Sequence, residues 1–223
     1  RFPIEEAIRR GILCEFEYLE LEYEFSAEDR DAVRQAIRRY HARAQGPDPM
    51  PIEVLYQDIA RIRKLSREKL PPFRQLVESR RDLLERCLIF VETTEYGREV
   101  QDILMRAGIR YHTYYGDDDR ANLQRFARGE LDCLLTCRRI SEGIDIRSVS
   151  SIVLFSSARA MLETVQRLGR CLRTDPTNPS KRALVVDFIR TDDAEDPDTE
   201  AEETADIARR TTMRSWSSIE REE

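Results

Sequence analysis

The chain has 223 residues, of which 40% are hydrophobic and 36% are charged, and its formal net charge is -6 at pH 7. This length suits one large domain or one domain with an appendage, and the composition allows a core beneath an ionic surface. The longest apolar run covers residues 87–91, far short of the roughly 20 residues needed to cross a bilayer, and no signal-peptide pattern opens the sequence. We therefore expect a cytoplasmic protein without a membrane partner.

Charge is divided unevenly along the chain. Residues 191–223 carry 4 Arg against 12 Asp and Glu, and residues 1–30 carry 4 Arg against 9 Asp and Glu. The intervening residues 31–190 hold 29 Lys and Arg against 22 Asp and Glu. A positive middle segment is compatible with a polyanionic partner, which the net charge of the whole chain conceals.

The five cysteines do not form a pattern typical of a metal site. Cys133 and Cys137 fall on one face of a predicted strand, but no histidine or second cysteine pair completes a set of ligands. We expect reduced, mostly buried thiols and no bound metal ion on this chain.

The first 86 residues predict a strand between helical segments. A short helix ends at Gly11, and an alternating stretch follows in which the apolar parity flips near Tyr18, which indicates a bulge or a kink. Helices are then predicted at 27–44, at about 52–65 and from 71 or 72 to about 86, and the proline-rich residues 46–51 separate the first two.

From residue 87 onward, short apolar runs alternate with amphipathic helices. Strands are predicted at 87–92, 111–115, 132–137, 150–156 and 183–189, with helices at 94–107, 119–128 and 159–172. This alternation predicts an α/β fold, a parallel sheet with helices on both faces. The predicted organisation is an N-terminal segment at 1–30, a helical segment at 31–86, the α/β domain at 87–190, and an acidic, mobile tail at 191–223 with a short helix around 204–216.

The segment at 166–173 reads Gln-Arg-Leu-Gly-Arg-Cys-Leu-Arg. On a helix, Gln166, Arg170 and Arg173 fall at i, i+4 and i+7 and share one face. A row of guanidinium groups suits an anion with several oxygens, such as a triphosphate. From spacing alone, a solvated basic helix face is an equal alternative.

A second segment runs from Thr136 through Ser141, Gly143 and Asp145. It follows an apolar strand and so lies at the carboxyl end of a parallel strand, where open α/β sheets bind ligands. Thr136 and Ser141 can donate to phosphates, and Asp145 can accept from a ribose hydroxyl. The alternative is an ordinary polar turn in which Gly143 supplies a positive φ.

A third segment is Thr93-Thr94, where a strand runs into the N-terminus of a helix. Either threonine can cap that helix. The same geometry presents free backbone amides to a phosphate, so both interpretations can hold together.

In order and spacing, these three segments resemble motifs IV, V and VI of the second, C-terminal RecA-like lobe of superfamily 2 helicases and translocases, nearest to the DNA repair and restriction-type branch. The resemblance rests on Gln-Arg-x-Gly-Arg-x-x-Arg at 166–173, on Glu-Gly-Ile-Asp-Ile at 142–146, and on the stretch at 115–130 between motifs IV and V. It covers about 87–190, and residues 1–30 are similar, more weakly, to the linker that follows the first lobe.

The resemblance implies a RecA-like fold in which ATP and Mg²⁺ bind in a cleft between two lobes. By the same resemblance, Arg170 and Arg173 would act as arginine fingers on the γ-phosphate. The nucleotide contacts would include Gln166, Gly143 and Asp145. DNA would be the partner, and its backbone would be contacted by Thr93, Thr94, Thr136 and Ser141.

The sequence lacks the other half of such an ATP site. It contains no Gly-x-x-x-x-Gly-Lys-Ser/Thr motif and no Asp-Glu dipeptide, and none of its three lysines follows a glycine. We expect a fragment whose P-loop lobe lies elsewhere, in the same full-length chain or on a partner, and which hydrolyses little ATP alone. The alternatives are a non-catalytic scaffold that binds proteins and, last, a stand-alone nucleotide-binding enzyme.

Overall fold

The computed structural model describes residues 3–44, 46, 49–116, 118–137, 149–156, 168–169, 171–176, 178–191 and 200–220, with backbone only at 200–206. Its strands are β1 (Phe16–Tyr23), β2 (Cys87–Val91), β3 (Tyr111–Tyr114), β4 (Cys133–Cys137), β5 (Ser151–Leu154) and β6 (Ala183–Arg190). Its helices are α1 (Ile4–Arg9), α2 (Ala27–Ala44), α3 (Ile52–Leu65), α4 (Leu70–Ser79), α5 (Thr94–Arg106), α6 (Arg120–Ala127) and α7 (Glu200–Ser217). Short 3-10 turns lie at Arg67–Lys69 and Arg81–Leu84.

The six described strands form one sheet in the order β1-β6-β5-β2-β4-β3, and every neighbouring pair is parallel. All residues of β2 and β5 are buried, as are four of the five residues of β4. Strands that are covered on both faces read as continuous apolar runs, which is why the sequence shows little alternation here. The predicted parallel α/β sheet is confirmed.

Helices cover both faces of the sheet. One layer contains α2 to α5 and packs around Phe155, whose ring centroid lies 4.5 Å from that of Phe188 and 5.0 Å from that of Phe73. The other layer contains α1, α6 and α7, and its core includes Phe16 and Phe90. We refer to these as the first and the second layer.

Strand β1 is a continuous member of the sheet. Its eight residues pair in unbroken register with β6, from Phe16↔Ala183 to Tyr23↔Arg190, so the predicted bulge or kink near Tyr18 is wrong. The apolar parity flips because Phe16 and Tyr18 contact the second layer, whereas Leu19, Leu21 and Tyr23 contact the first. Residues 1–30 therefore supply an edge strand to the α/β domain, which differs from the predicted boundary at residue 87.

Helices α2 and α3 form a hairpin whose members pack mainly against each other. Its base is fixed by two hydrogen bonds at Ser66, whose Oγ lies 2.6 Å from Asp29 Oδ2 and whose carbonyl accepts from the Tyr96 hydroxyl at 2.9 Å. Further out, Arg39 on α2 pairs with Asp58 on α3 at 2.9 Å. The hairpin base thus lies beside the start of α5.

Helix α7 packs on β1 and β6, and its bounds are wider than those of the short helix predicted around 204–216. Met213 is fully buried and Trp216 is 8% exposed, and the Trp216 indole N–H donates to Glu5 on α1 at 2.8 Å. The acidic composition concealed two apolar positions at i and i+3 spacing. Neither α7 nor any other helix in the described part of the chain is long and apolar enough to cross a membrane.

Candidate functional site

Thr93 is the N-cap of α5, at the carboxyl end of β2. Its backbone is extended, its Oγ1 accepts from the Tyr96 amide at 3.2 Å, and its carbonyl accepts from the Gly97 amide at 3.0 Å. The prediction that one of the two threonines caps this helix is confirmed for Thr93. Thr94 is the first helical residue, and its hydroxyl donates to Glu95 at 3.2 Å.

Carboxylates surround the N-terminus of α5. Glu92 pairs with Lys64 at 3.3 Å, and its side chain is only 9% exposed. Glu95 lies in the first helical turn, where a hydrogen bond from its own backbone amide and then one from the Thr94 hydroxyl lower the pKa of its carboxyl. Two acidic side chains at the positive end of a helix make it less attractive to a phosphate than its geometry alone suggests.

Thr136 lies inside the sheet near the carboxyl end of β4. It stands in register between Phe90 of β2 and Tyr114 of β3, and it is fully buried. Among the described residues, no group hydrogen-bonds to its Oγ1. This burial differs from the exposed position that direct contact with a nucleic-acid backbone requires, and it places Thr136 beneath the start of the segment that follows β4.

Five of the predicted site residues lie outside the described residues. They are Ser141, Gly143, Asp145, Gln166 and Arg170. The geometry that can be stated for the motif segments is therefore that of Thr93, Thr94, Thr136 and Arg173, together with their neighbours.

Arg173 lies just beyond the end of a helix. The helical residues nearest to it are 168, 169 and 171, and Arg173 itself forms an isolated antiparallel bridge with Leu13. Arg173 is therefore not helical itself, and because Gln166 and Arg170 lie outside the described residues, the shared face stays a prediction.

The helix ends within one residue of its predicted end at 172, and residues 12–14 bind the backbone that follows it. The Cys14 amide donates to the Leu172 carbonyl at 2.6 Å, and the Thr174 amide donates to the Ile12 carbonyl at 3.5 Å. The Lys181 ammonium donates to the Arg173 carbonyl at 3.0 Å. The Arg173 backbone is thus fixed while its side chain is exposed.

The described site residues lie at opposite rims of the sheet. Thr93, Thr94 and Thr136 are at the carboxyl ends of β2 and β4. Arg173 is beside the amino ends of β1 and β6, because its contacts are with residues 12–14 and with Lys181, which precede those strands. The structure thus brings the threonines close to one another but places Arg173 apart from them.

No motif in the sequence includes Lys69, which is buried in the first layer. Its ammonium donates to the Phe155 carbonyl at 2.9 Å and lies 5.3 Å and 5.8 Å from the ring centroids of Tyr23 and Phe188. Phe155 directly follows β5, so Lys69 fixes the strand end from which the chain leads toward residues 166–173. Lys69 follows Arg67 and Glu68 in the sequence, so no apolar pattern signalled its burial.

The described residues also contain no group of three or more His, Cys, Asp or Glu side chains arranged to hold a metal ion. The cysteines in this part of the chain are free thiols, and burial raises the pKa of Cys14 and of Cys133.

A parallel sheet in this strand order, with helices on both faces, defines a RecA-like α/β lobe. Residues 68–175 match the family model described as the helicase conserved C-terminal domain. This stretch is just under half of the chain, begins in the turn before α4, ends just after Arg173 and is similar to that family. The predicted superfamily 2 helicase C-terminal lobe is confirmed.

Curated relatives align with less than half of the chain. Dicer-like protein 1 of Phaeosphaeria nodorum is 31% identical over 105 residues, which are 40% of this chain and 7% of that protein. DEAD-box ATP-dependent RNA helicase 22 of Arabidopsis thaliana is 30% identical over 92 residues, 40% of this chain and 16% of that protein. The match thus spans only a small part of either relative.

Solved structures share the fold over most of the chain. The C-terminal part of the Fun30 ATPase domain superposes with a TM-score of 0.55 at 11% identity, covering 81% of this chain and 87% of that one. The Sulfolobus solfataricus SWI2/SNF2 ATPase core in complex with dsDNA gives a TM-score of 0.58 at 12% identity, covering 78% of this chain and 41% of that one. These similarities confirm the RecA-like fold.

Proposed function

We propose that the chain is the C-terminal motor lobe of an ATP-dependent DNA helicase or translocase. Its role is to complete an ATP site whose P-loop lobe lies outside these 223 residues. The observation that carries the proposal is the helicase C-terminal domain at 68–175, which ends on the arginine-bearing segment. DNA is preferred by resemblance, although the DEAD-box relatives are named as RNA helicases.

Arg173 is the described residue that suits an arginine finger. Its backbone is fixed by hydrogen bonds to residues 12–14 and Lys181, and its guanidinium is exposed. A cation held on a rigid backbone can meet charge that develops on a transferred phosphoryl group without a large reorganisation. Residues 1–30 are similar to an interlobe linker, so this position suits a cleft between lobes.

The burial of neighbouring residues supports a matching role for Arg170 and Gln166. Leu168, Cys171 and Leu172 are buried in the second layer, whereas a Cβ built on Gly169 would meet no atom within 4 Å. At about 100° per residue, Gln166 and Arg170 fall roughly opposite the centre of those buried positions on a helix. We assign both to the nucleotide, together with Gly143 and Asp145.

ATP and Mg²⁺ would be held mainly by the P-loop lobe. When bound, the nucleotide supplies the phosphoryl group that is transferred, and the metal ion neutralises part of its charge. This chain would contribute the cations Arg170 and Arg173 and the polar contact of Gln166. The donor set present here therefore fits one wall of a nucleotide site.

The carboxyl rim is assigned to the nucleic acid. Thr94 and Ser141 would contact backbone phosphates, and Thr93 would hold the start of α5 in place. Thr136 would support the rim without contacting the nucleic acid itself, because its side chain is buried in the sheet. Glu92 and Glu95 oppose anion binding at this rim, so most of the electrostatic attraction must come from another part of the lobe.

The test is ATP hydrolysis by this chain together with its P-loop lobe, in one polypeptide or as a mixture. Arg173→Ala is expected to lower kcat by about a thousandfold or more, as loss of an arginine finger does. Arg182→Ala, which removes another exposed arginine near the amino rim, is the matched control and should leave kcat unchanged.

Two results would count against the motor assignment. Mg²⁺-dependent ATP turnover by the isolated chain would show that it carries a complete site. Full activity of Arg173→Ala beside the P-loop lobe would remove the proposed finger, and absence of ATPase in every combination would favour the non-catalytic scaffold.

A further inference from the structure

We propose that the outer face of α2 is a second binding surface for a nucleic-acid phosphate backbone. We define this α2 basic face as Arg34, Arg38, Arg39 and Arg43, all of which are exposed. The inference extends the proposed function, on which it rests, because it assigns additional surface to the same polyanionic partner.

The first argument is the sign of the charge. Residues 32–44 contain 4 Arg and no Asp or Glu. By contrast, α5 mixes Arg98 and Arg106 with Glu95, Glu99 and Asp102. Like charges on one helix repel each other, and a polyanion relieves that repulsion by neutralising them together.

The second argument is that these guanidinium groups are available. Among the described residues, no carboxylate lies within ion-pair distance of Arg38 or Arg43. Arg34 pairs with Asp31 and Arg39 with Asp58, but the two arginine side chains remain 49% and 55% exposed. Exposed pairs of this kind are weak, so a phosphate can take the place of either carboxylate.

The third argument is spacing. Arg34 and Arg38 are one helical turn apart, as are Arg39 and Arg43, so the basic face has two short rows of cations that lie about 140° apart around the helix, one on each flank of its exposed side. At 1.5 Å per residue the face extends for about 13 Å, whereas successive phosphates rise by about 3.4 Å along one strand. A groove between α2 and α3 is lined in part by Gln35, Arg39 and Arg61, and it adds a further arginine beside the second row.

The fourth argument is position. Helix α2 starts directly after β1, and Asp29 near its start is held to Ser66, which in turn is held to Tyr96 at the start of α5. The hairpin therefore begins at the carboxyl rim, near Thr93 and Thr94. A backbone that crosses this acidic rim would meet the α2 basic face roughly 10–25 Å along the helix.

The experiment measures equilibrium binding of this chain to fluorescein-labelled single-stranded DNA, duplex DNA and single-stranded RNA. Fluorescence anisotropy is followed between about 50 and 300 mM KCl, because each lost phosphate contact flattens the plot of log K against log salt by about 0.7 to 0.9. We expect Arg38→Gln with Arg43→Gln to weaken binding and to reduce the slope by about 1.4 to 1.8.

The matched control is Arg125→Gln with Arg128→Gln. It removes the same charge from exposed arginines after and within α6, and it should leave both affinity and slope unchanged. Thermal unfolding of both variants should match that of the wild type, because none of the four side chains is buried. The probe with the largest loss identifies the natural polymer.

Wild-type affinity and slope in the α2 variant would overturn the inference, as would failure of the wild-type chain to bind any of the three probes. A change only in sedimentation velocity would also overturn it, since the face would then be a protein contact. The proposed function is tested separately: the unstimulated ATPase with the P-loop lobe depends on Arg173 and should survive in the α2 variant.

Discussion

Lys69 in the first layer and Arg209 in the second are the two most deeply buried cations of the described residues, and they are held in different ways. In the first layer, the Lys69 ammonium donates to a backbone carbonyl and lies over the rings of Tyr23 and Phe188. In the second layer, Arg209 on α7 pairs with Asp187 at 2.8 Å, and the side chains are 4% and 0% exposed. The Tyr18 hydroxyl donates to the same carboxylate at 3.1 Å.

The two cations differ in the charge of the group that loses a contact when the cation is removed. Without Lys69, the layer loses a donor to a neutral carbonyl. Without Arg209, a full negative charge remains buried beneath α7. Burial, and then the Asp187 charge, raises the pKa of Tyr18, which indicates how poorly solvated this region is. Helix α7 is therefore held by the contact that is most costly to break.

The largest expected effect follows from breaking the pair in the second layer. Arg209→Met should lower the free energy of unfolding by about 3–5 kcal/mol, because it removes the guanidinium that pairs with the buried Asp187 carboxylate at 2.8 Å. Urea denaturation monitored by circular dichroism measures this. Arg209→Met combined with Asp187→Asn should cost less than the sum of the two single variants, and additive losses would show that the pair is not coupled.

A smaller loss is expected in the first layer. Lys69→Met keeps most of the side-chain volume but removes the donor to the Phe155 carbonyl. It should lower the free energy of unfolding by about 1–3 kcal/mol in the same urea experiment. If Lys69→Met proves as costly as Arg209→Met, the contrast between the two layers does not hold.

The anchor of α7 on α1 should contribute less again. Trp216→Phe keeps an aromatic ring in the second layer but removes the hydrogen bond from the indole N–H to Glu5. A loss of about 1–2 kcal/mol is expected, as for one hydrogen bond to a charged acceptor. Arg80→Gln, which disrupts an exposed pair with Asp82, provides the baseline, and no difference from it would mean that this bond adds nothing.

The smallest effect on stability is expected at Thr136. Because its buried hydroxyl has no hydrogen-bond partner in the described part of the chain, Thr136→Val should leave the free energy of unfolding unchanged or raise it by up to about 1 kcal/mol. A clear loss of stability in thermal unfolding would reveal a partner for the hydroxyl. If Thr136 supports the nucleic-acid rim, the nucleic-acid-stimulated ATPase should fall in the same variant.

The sheet could be predicted because its strands are apolar on both faces. Runs such as 87–91, and glycines such as Gly108 with its positive φ of 66° after α5, indicate the elements directly. Strand β1 was harder to predict. Its first half packs on the second layer and its second half on the first, so the apolar residues change parity although the strand is continuous.

The site could be predicted only in part. Thr93 as a cap follows from residues close in sequence, whereas Lys69 meets Phe155 across 86 residues and no local spacing encodes that contact. Arg173 lies beyond the end of its helix, where residues 12–14 bind the backbone. The local sequence pattern predicts which element a segment forms, whereas contacts with residues distant in sequence determine where that element ends.

The bridge between Leu13 and Arg173 has a mechanical consequence. In a two-lobed motor of the proposed kind, residues 12–14 would share hydrogen bonds with the segment that carries Arg173, the proposed arginine finger. A rotation of one lobe relative to the other would then move the Arg173 guanidinium, because the backbone hydrogen bonds between residues 12–14 and residues 172–174 connect the two segments directly. Opening of the two lobes and withdrawal of the Arg173 guanidinium from the nucleotide would then be one movement, which would not depend on a rearrangement of the hydrophobic core.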